Sequence, residues 1–275
     1  MNELKFSVLM SVYYNDNPDH FDTALSSVLI NQTIKPDEIV VVVDGSVSDE
    51  INAVISKYES NALTEFKAIR LEQNGGLGNA LKVGLESCTY DIVARMDSDD
   101  ISATNRFEQQ LKAFNEDTDI IGGDISEFID FEDNIVSYRK VPCEDKEIKE
   151  FLKKRCPFNH MTVMFKKKAV IDAGGYLDLH WNEDYYLWIR MMENNASMKN
   201  TGSVLVNVRV GADMYKRRGG RKYFKSEKQL QKYMLSKKII SKKTYFLNVL
   251  KRWIIQVAMP SSIRGWVFRK FARNK

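Results

Sequence analysis

The stretch Asp91-Ile92-Val93-Ala94-Arg95-Met96-Asp97-Ser98-Asp99-Asp100 joins an apolar run to a cluster of acidic residues. The apolar part predicts a buried strand, and the acidic part predicts the loop that follows it. Clustered carboxylates repel one another unless a cation lies between them, and a hard divalent cation accepts one or two carboxylates together with phosphate oxygens. The segment therefore indicates a metal–diphosphate site, with a polar turn favoured on backbone grounds as the alternative.

The segments before this stretch alternate between strand and helix patterns. Strands are predicted at residues 6–12, 39–43, 66–71 and 91–96, with amphipathic helices between them. This alternation predicts an α/β fold with a mostly parallel, doubly wound sheet. Ligands of such sheets bind at the carboxyl ends of the strands. Because Asp44, Asn74 and Asp97 each follow a predicted strand, we expect them to converge on one site.

The pattern becomes mixed in the second half of the chain. A helix that passes through Phe107 is predicted to start near Ser102, where Asp100 would either cap it or assist a metal. Further strands are predicted at residues 120–131, 136–141 and 160–165, and further helices at 144–155 and 183–188.

Composition limits the classes of protein to which this chain can belong. The length of 275 residues fits one large domain, or one domain with an appendage. Three widely spaced cysteines predict neither a disulfide framework nor a zinc site, which favours a reducing compartment. The N-terminal apolar run is too short for a signal peptide. No membrane span is predicted, since the best candidate, residues 245–259, is broken by Lys251-Arg252.

The charge is distributed unevenly along the chain. Residues 221–275 hold 16 Lys and Arg against a single acid, Glu227, interleaved with aromatic residues. We therefore predict two domains, residues 1–215 and 216–275, the second being a basic helical region that meets an anionic membrane surface. The alternative is a helical appendage that packs on the first domain. Nucleic-acid binding is electrostatically possible but is not expected, since no reading motif accompanies the charge.

A series of motifs in one order resembles the inverting glycosyltransferases of family 2. These motifs are Ser7 to Tyr14 (SVLMSVYY), Pro36-Asp37-Glu38-Ile39-Val40, Asp44-Gly45, Asn74-Gly75-Gly76-Leu77-Gly78, Arg95-Met96-Asp97-Ser98-Asp99-Asp100 and Glu183-Asp184-Tyr185. The resemblance covers residues 4–215 and is greatest to bacterial galactosyl- or glucosyltransferases that extend O-antigen or capsule repeat units. It implies a GT-A fold, a Rossmann-like, mostly parallel mixed sheet with flanking helices.

The resemblance also implies which side chains hold the nucleotide sugar. Asp44 would bind uracil, the alternative being a residue that forms the turn before Gly45. Asp97 would lie on the ribose side. The other nucleotide-sugar residues implied are Ser11, Tyr13, Asn74, Gly75, Gly76, Arg95, Arg217 and Arg218.

Metal binding and catalysis are assigned by the same resemblance. Asp99, with Asp97, would hold Mn²⁺ or Mg²⁺ against the diphosphate. Asp184 would act as the base on the acceptor hydroxyl, supported by Glu183. The alternative is that these two acids only favour the start of a helix through its dipole. His160 and Trp181 would contact the acceptor, although a histidine beside a strand is more often structural.

The implied reaction is transfer of one galactose or glucose from a UDP-sugar to an undecaprenyl-diphosphate-linked sugar. Such an enzyme would be cytoplasmic and peripheral on the inner face of the bacterial membrane. Lys251-Arg252-Trp253 copies only the end of the QxxRW motif of processive synthases, so single addition is favoured. The rival hypotheses are a sugar-nucleotide pyrophosphorylase, whose Gly-rich loop is missing at Tyr13-Tyr14-Asn15-Asp16, and a nucleic-acid-binding or scaffold protein.

Overall fold

A computed structural model describes residues 4–60, 64–179, 181–211 and 219–260. The strands in these ranges are β1 (Phe6–Tyr13), β2 (Glu38–Asp44), β3 (Glu65–Arg70), β4 (Ile92–Arg95), β5 (Ile101–Ser102), β6 (Ile120–Phe128), β7 (Ile135–Arg139), β8 (Met164–Lys166) and β9 (Met198–Arg209). The helices are α1 (Pro18–Leu29), α2 (Asp49–Glu59), α3 (Leu77–Ser87), α4 (Arg106–Ala113), α5 (Asp145–Leu152), α6 (Lys167–Asp172), α7 (Glu183–Glu193), α8 (Arg221–Ser236) and α9 (Lys242–Trp253).

One sheet with the strand order β3-β2-β1-β4-β8-β6-β9-β5 runs through the molecule, and β7 pairs with β6. The first four of these strands are parallel, which confirms the predicted α/β sheet. Successive residues of β1 and β2 point into two different cores, Val8 and Val41 into one, Leu9 and Val40 into the other. Because both faces are covered by helices, these strands are continuous apolar runs.

The other half of the sheet is mixed and contains a strand that the sequence analysis did not identify. Strand β8 is antiparallel to both β4 and β6, whereas β9 is parallel to β6. The alternation of Val204, Val206 and Val208 is the pattern that could have revealed β9. This 12-residue strand ends at Arg209, and so it carries a basic side chain to the acidic loop after β4.

Two local predictions are wrong. No helix begins near Ser102, because residues 101–102 form β5 and pair with Val206 and Asn207 of β9. The chain from His160 to Thr162 is a turn of 3₁₀ helix rather than the start of a strand, since the Thr162 N–H donates to the Asn159 carbonyl at 2.9 Å. Strand β8 begins only at Met164.

The C-terminal helices pack on the rest of the chain. Leu230 and Met234 of α8, and Ile240 after it, join the core that contains Trp188 of α7. Asn182 donates a hydrogen bond to Ser226 at 2.9 Å. Among the residues that the structure describes, none of the helices has the length and apolar character needed to cross a bilayer.

Candidate active site

The end of β2 and the loop after β3 are joined through one carboxylate. The two oxygens of Asp44 accept the N–H groups of Gly75, at 2.7 Å, and Gly76, at 2.9 Å. The Asn74 side chain donates to the Asp44 carbonyl at 3.2 Å. Gly45 has a φ of 83°, and a Cβ there would lie 2.7 Å from the Asn74 nitrogen. Only glycine permits this close approach of the two loops.

The loop after β1 is joined to the acidic loop after β4. Asp16 Oδ2 accepts the Ser98 hydroxyl at 2.8 Å and the Tyr13 N–H at 3.1 Å. Burial raises the pKa of Asp16 to about 6, against the effect of these hydrogen bonds. The sequence analysis did not select Asp16, although its position after a strand end was a signal. Ser11 is half-buried and the Tyr13 ring is exposed at this edge.

Beside the acidic loop lies the buried guanidinium group of Arg95, and the carboxylates of the loop differ in their exposure. Arg95 is 1% exposed and pairs with the half-buried Asp97, while its Nε and Nη1 have no hydrogen-bond partner in the described residues. Asp99 is exposed at the surface of the loop. Loss of hydration around its carboxylate, followed by the charges of Asp97 and Asp16, raises the pKa of Asp99 to about 6, because both effects disfavour ionisation.

These carboxylates fit a divalent cation that completes its ligand shell elsewhere. Within the described ranges, no three His, Cys, Asp or Glu side chains form a cation site by themselves. Mg²⁺-type ions bind through one or two carboxylates together with waters and substrate phosphates. Asp97 and Asp99 supply such a pair, and their mutual repulsion is what a cation would relieve. The assignment of these two residues to a metal stays a prediction.

Asp100 and Arg209 close the loop from the side of β9. The Arg209 N–H donates to the buried Asp100 carboxylate at 2.9 Å, so Asp100 binds a strand end and caps no helix. The Arg209 guanidinium donates from Nε to the Asp99 carbonyl at 3.3 Å and lies 4.8 Å from the centre of the Phe128 ring. A fixed positive charge therefore adjoins Asp99, which the sequence analysis missed together with β9.

Glu183 and Asp184 open α7 beside the first turn of α3. A Cβ at Gly78 would lie 3.6 Å from the Glu183 Cβ. Burial and the neighbouring Asp184 raise the pKa of Glu183 to about 7, and its Oε2 has no hydrogen-bond partner in the described residues.

The carboxylate of Asp184 is also desolvated by the surrounding protein. Burial raises its pKa, while the Tyr185 N–H, which donates to Oδ1 at 2.6 Å, acts in the opposite direction. The Cys156 thiol lies 3.8 Å from the other carboxylate oxygen. Carboxylates held with raised pKa values are suited to accepting a proton near neutral pH.

The residues assigned to the acceptor differ in exposure. His160 Nε2 lies 3.0 Å from the Tyr176 hydroxyl, and burial and Arg95 lower the pKa of this histidine well below 6.5. Trp181 is 39% exposed and has a φ of 70°, with its ring 5.8 Å from that of Tyr223 in α8. Arg217 and Arg218 lie outside the described residues.

Comparison with known proteins gives consistent matches over most of the chain. The sequence model described as "Glycosyl transferase family 2" matches residues 7–174. An "Uncharacterized glycosyltransferase" of Haemophilus influenzae is 46% identical over 231 residues, which cover 83% of this chain and 85% of that protein.

Two further relatives have more specific names. "UDP-Gal:alpha-D-GlcNAc-diphosphoundecaprenol beta-1,3-galactosyltransferase" of Escherichia coli is 38% identical over 272 residues, covering 98% of this chain and 97% of that protein. "Amylovoran biosynthesis glycosyltransferase AmsE" of Erwinia amylovora is 38% identical over 270 residues, covering 96% and 98%.

The fold also matches solved structures. Residues 1–349 of S. aureus TarS, in complex with UDP-GlcNAc, superpose with a TM-score of 0.67 at 19% identity. The match covers 91% of this chain and 73% of that chain. At this level of identity the likeness concerns the fold alone, a curled, mostly parallel sheet flanked by helices.

Proposed function

The chain belongs to glycosyl transferase family 2, and we propose that it transfers a single hexose, galactose or glucose, from a UDP-sugar to an undecaprenyl-diphosphate-linked sugar, inverting the anomeric centre. It is a glycosyltransferase of the GT-A fold, and its named relatives act in bacterial polysaccharide synthesis. The donor sugar, the acceptor and the metal are the parts of this proposal that go beyond family membership.

One observation carries the proposal: four strand-end loops lie at one edge of the sheet and are joined in two pairs. Asp44 binds the loop after β3, and Asp16 binds the loop after β4. Strand β1 lies between β2 and β4, so the strands that lead to Asp44 and Asp97 are two strand spacings apart, roughly 10 Å. This spacing would allow a nucleotide sugar to place its nucleobase near Asp44 and its diphosphate near Asp97.

At the end that would hold the nucleobase, Asp44 would accept a hydrogen bond from a uracil N–H. Its carboxylate uses two of its roughly four lone-pair sites on Gly75 and Gly76, which leaves acceptor capacity for a ligand. Ser11 and Tyr13 would line the same pocket from β1. Asn74, Gly75 and Gly76 would let backbone approach the nucleotide, and a Cβ at Gly76 would meet no atom within 4 Å.

At the diphosphate end, Asp99 would hold Mn²⁺ or Mg²⁺, with Asp97 between the metal and the ribose side. When bound, this cation would neutralise charge that develops on the departing UDP. The buried Arg95 orients Asp97 through their ion pair. Arg217 and Arg218 would add positive charge beside the diphosphate.

At the acceptor end, Asp184 would remove the proton from the attacking hydroxyl while Glu183 supports or binds the acceptor sugar. Attack from this side, opposite the leaving UDP, inverts the anomeric centre. The exclusion of water around Asp184 raises its proton affinity, as a general base requires. Trp181 and His160 would contribute to acceptor binding.

The lipid-linked acceptor is supported by the name of the Escherichia coli relative, which this chain matches over nearly its whole length. An acceptor of that kind is confined to a membrane. We therefore propose that the protein acts in the cytoplasm, at the inner face of the bacterial membrane.

The test is transfer from a panel of UDP-sugars to synthetic GlcNAc–α-diphosphate–lipid, with the product linkage resolved by NMR. UDP-galactose or UDP-glucose should give one added hexose in the β configuration. Chelation of divalent cations should stop the reaction. Retention of the α configuration, or no transfer from any UDP-hexose, would contradict the proposal.

A further inference from the structure

Helix α9 is docked to the protein through its polar side. Asn248 is 7% exposed, and its amide donates to the Lys153 carbonyl at 3.0 Å and to Gln231 at 2.9 Å. Arg252 pairs with Glu227 and donates to the Lys154 carbonyl at 3.0 Å. Hydrogen bonds and an ion pair therefore hold this face of the helix, and beside them the half-buried Tyr245 packs against the core.

The opposite side of α9, together with Ile254 directly after the helix, is apolar and faces outward. We call this the outward stripe; its residues are Phe246 (66% exposed), Leu247 (44%), Leu250 (41%), Trp253 (46%) and Ile254 (43%). Their offsets of one, four, seven and eight residues from the first place them along one face of a helix. A surface helix of a soluble domain normally buries this face and exposes the polar one. The orientation here is the reverse.

The charged side chains that flank the outward stripe along the helix are all basic. Lys242, Lys243 and Lys251 are exposed, and the sequence contains no Asp or Glu after Glu227. A partner that covers the stripe must therefore tolerate or neutralise positive charge. A bilayer containing anionic lipid offers an apolar interior beneath negatively charged headgroups, which matches both properties.

We propose that the outward stripe of α9 inserts into the headgroup region of an anionic bilayer, with the adjoining lysines on the lipid phosphates. The inference deepens the proposed function, on which it rests, by naming the surface that meets the membrane holding the acceptor. A second copy of the chain fits less well, because a two-fold contact across this stripe would bring lysines against lysines. The polar docked face fixes which side of the helix is presented.

The experiment measures sedimentation of the full-length chain with vesicles of phosphatidylglycerol and phosphatidylethanolamine, and with neutral phosphatidylcholine vesicles. The triple variant Phe246→Ser, Leu250→Ser, Trp253→Ser should bind the anionic vesicles at least tenfold more weakly than the unchanged protein. The matched control is Phe131→Ser, which removes an exposed phenylalanine (74%) from the β6–β7 turn and should leave binding unchanged. Neutral vesicles should bind the unchanged protein weakly.

Transfer to two acceptors separates this inference from the proposed function. The triple variant should retain transfer to a water-soluble, short-chain sugar diphosphate and lose transfer to the same sugar embedded in vesicles. Absence of transfer in every form would contradict the proposed function but leave the sedimentation result standing. Equal vesicle binding by the triple variant, no vesicle binding by the unchanged protein, or a dimer that the triple variant dissociates would each overturn the inference.

Discussion

The substitution Glu183→Gln should make the stability of the protein less sensitive to pH. In the folded protein the pKa of Glu183 is about 7, compared with 4.5 for an unperturbed glutamate. Between these two pH values the folded state binds more protons than the unfolded state, so stability falls as the pH rises. Each tenfold change in an ionisation constant corresponds to about 1.4 kcal/mol, so ionised Glu183 costs the folded state up to about 3 kcal/mol at pH 8.

Glutamine does not titrate and therefore lacks this cost. The buried Oε2 of Glu183 has no hydrogen-bond partner in the described residues, so the substitution removes no bond at that atom. At pH 5 the cost of ionisation is only about 1 kcal/mol by the same relation. Relative to the unchanged protein, the variant should accordingly gain roughly 2 kcal/mol more stability at pH 8 than at pH 5.

Urea denaturation followed by tryptophan fluorescence at pH 5 and pH 8 provides the measurement. Glu59→Gln, at the exposed end of α2, is the matched control and should show the same stability difference at both pH values. If Glu183→Gln also changes stability equally at pH 5 and pH 8, Glu183 titrates normally in the fold. Such a result would show that burial does not raise the pKa of Glu183.

Three further substitutions address other parts of the site. Asp184→Asn should lower kcat by about 1,000-fold or more, as loss of a general base does, and leave calorimetric UDP binding unchanged; equal loss of both would assign Asp184 to structure. Asp99→Asn should abolish the increase in UDP affinity that Mn²⁺ produces, without altering affinity in the absence of metal. Asp44→Ala leaves two N–H groups without their acceptor and should reduce the free energy of unfolding by about 1–3 kcal/mol in urea titrations, together with weaker UDP binding; unchanged stability would show that other contacts hold the loop.

The parallel half of the sheet could be predicted because its signals are local. Short strand-like segments of five to seven residues identified β1 to β4, and helical spacing identified α1 to α3. Parallel strands bring their carboxyl ends to one edge, so the neighbourhood of Asp44, Asn74 and Asp97 followed from order alone. The Asp97–Asp99 pair and Glu183–Asp184 were selected with the help of the family resemblance, and their roles remain predictions.

The sequence by itself thus determined the class of fold and the order of the parallel strands, and from these it predicted a candidate site at their carboxyl ends. Tertiary structure alone decided that Asp16 joins Ser98 across 82 residues, that β9 brings Arg209 to Asp99, and that α9 turns its polar face inward. A contact between two distant segments does not change the spacing of apolar residues within either segment, so it cannot be predicted from that spacing. Periodicity likewise shows that a helix has two faces, but only the contacts available to each face decide which one the protein binds.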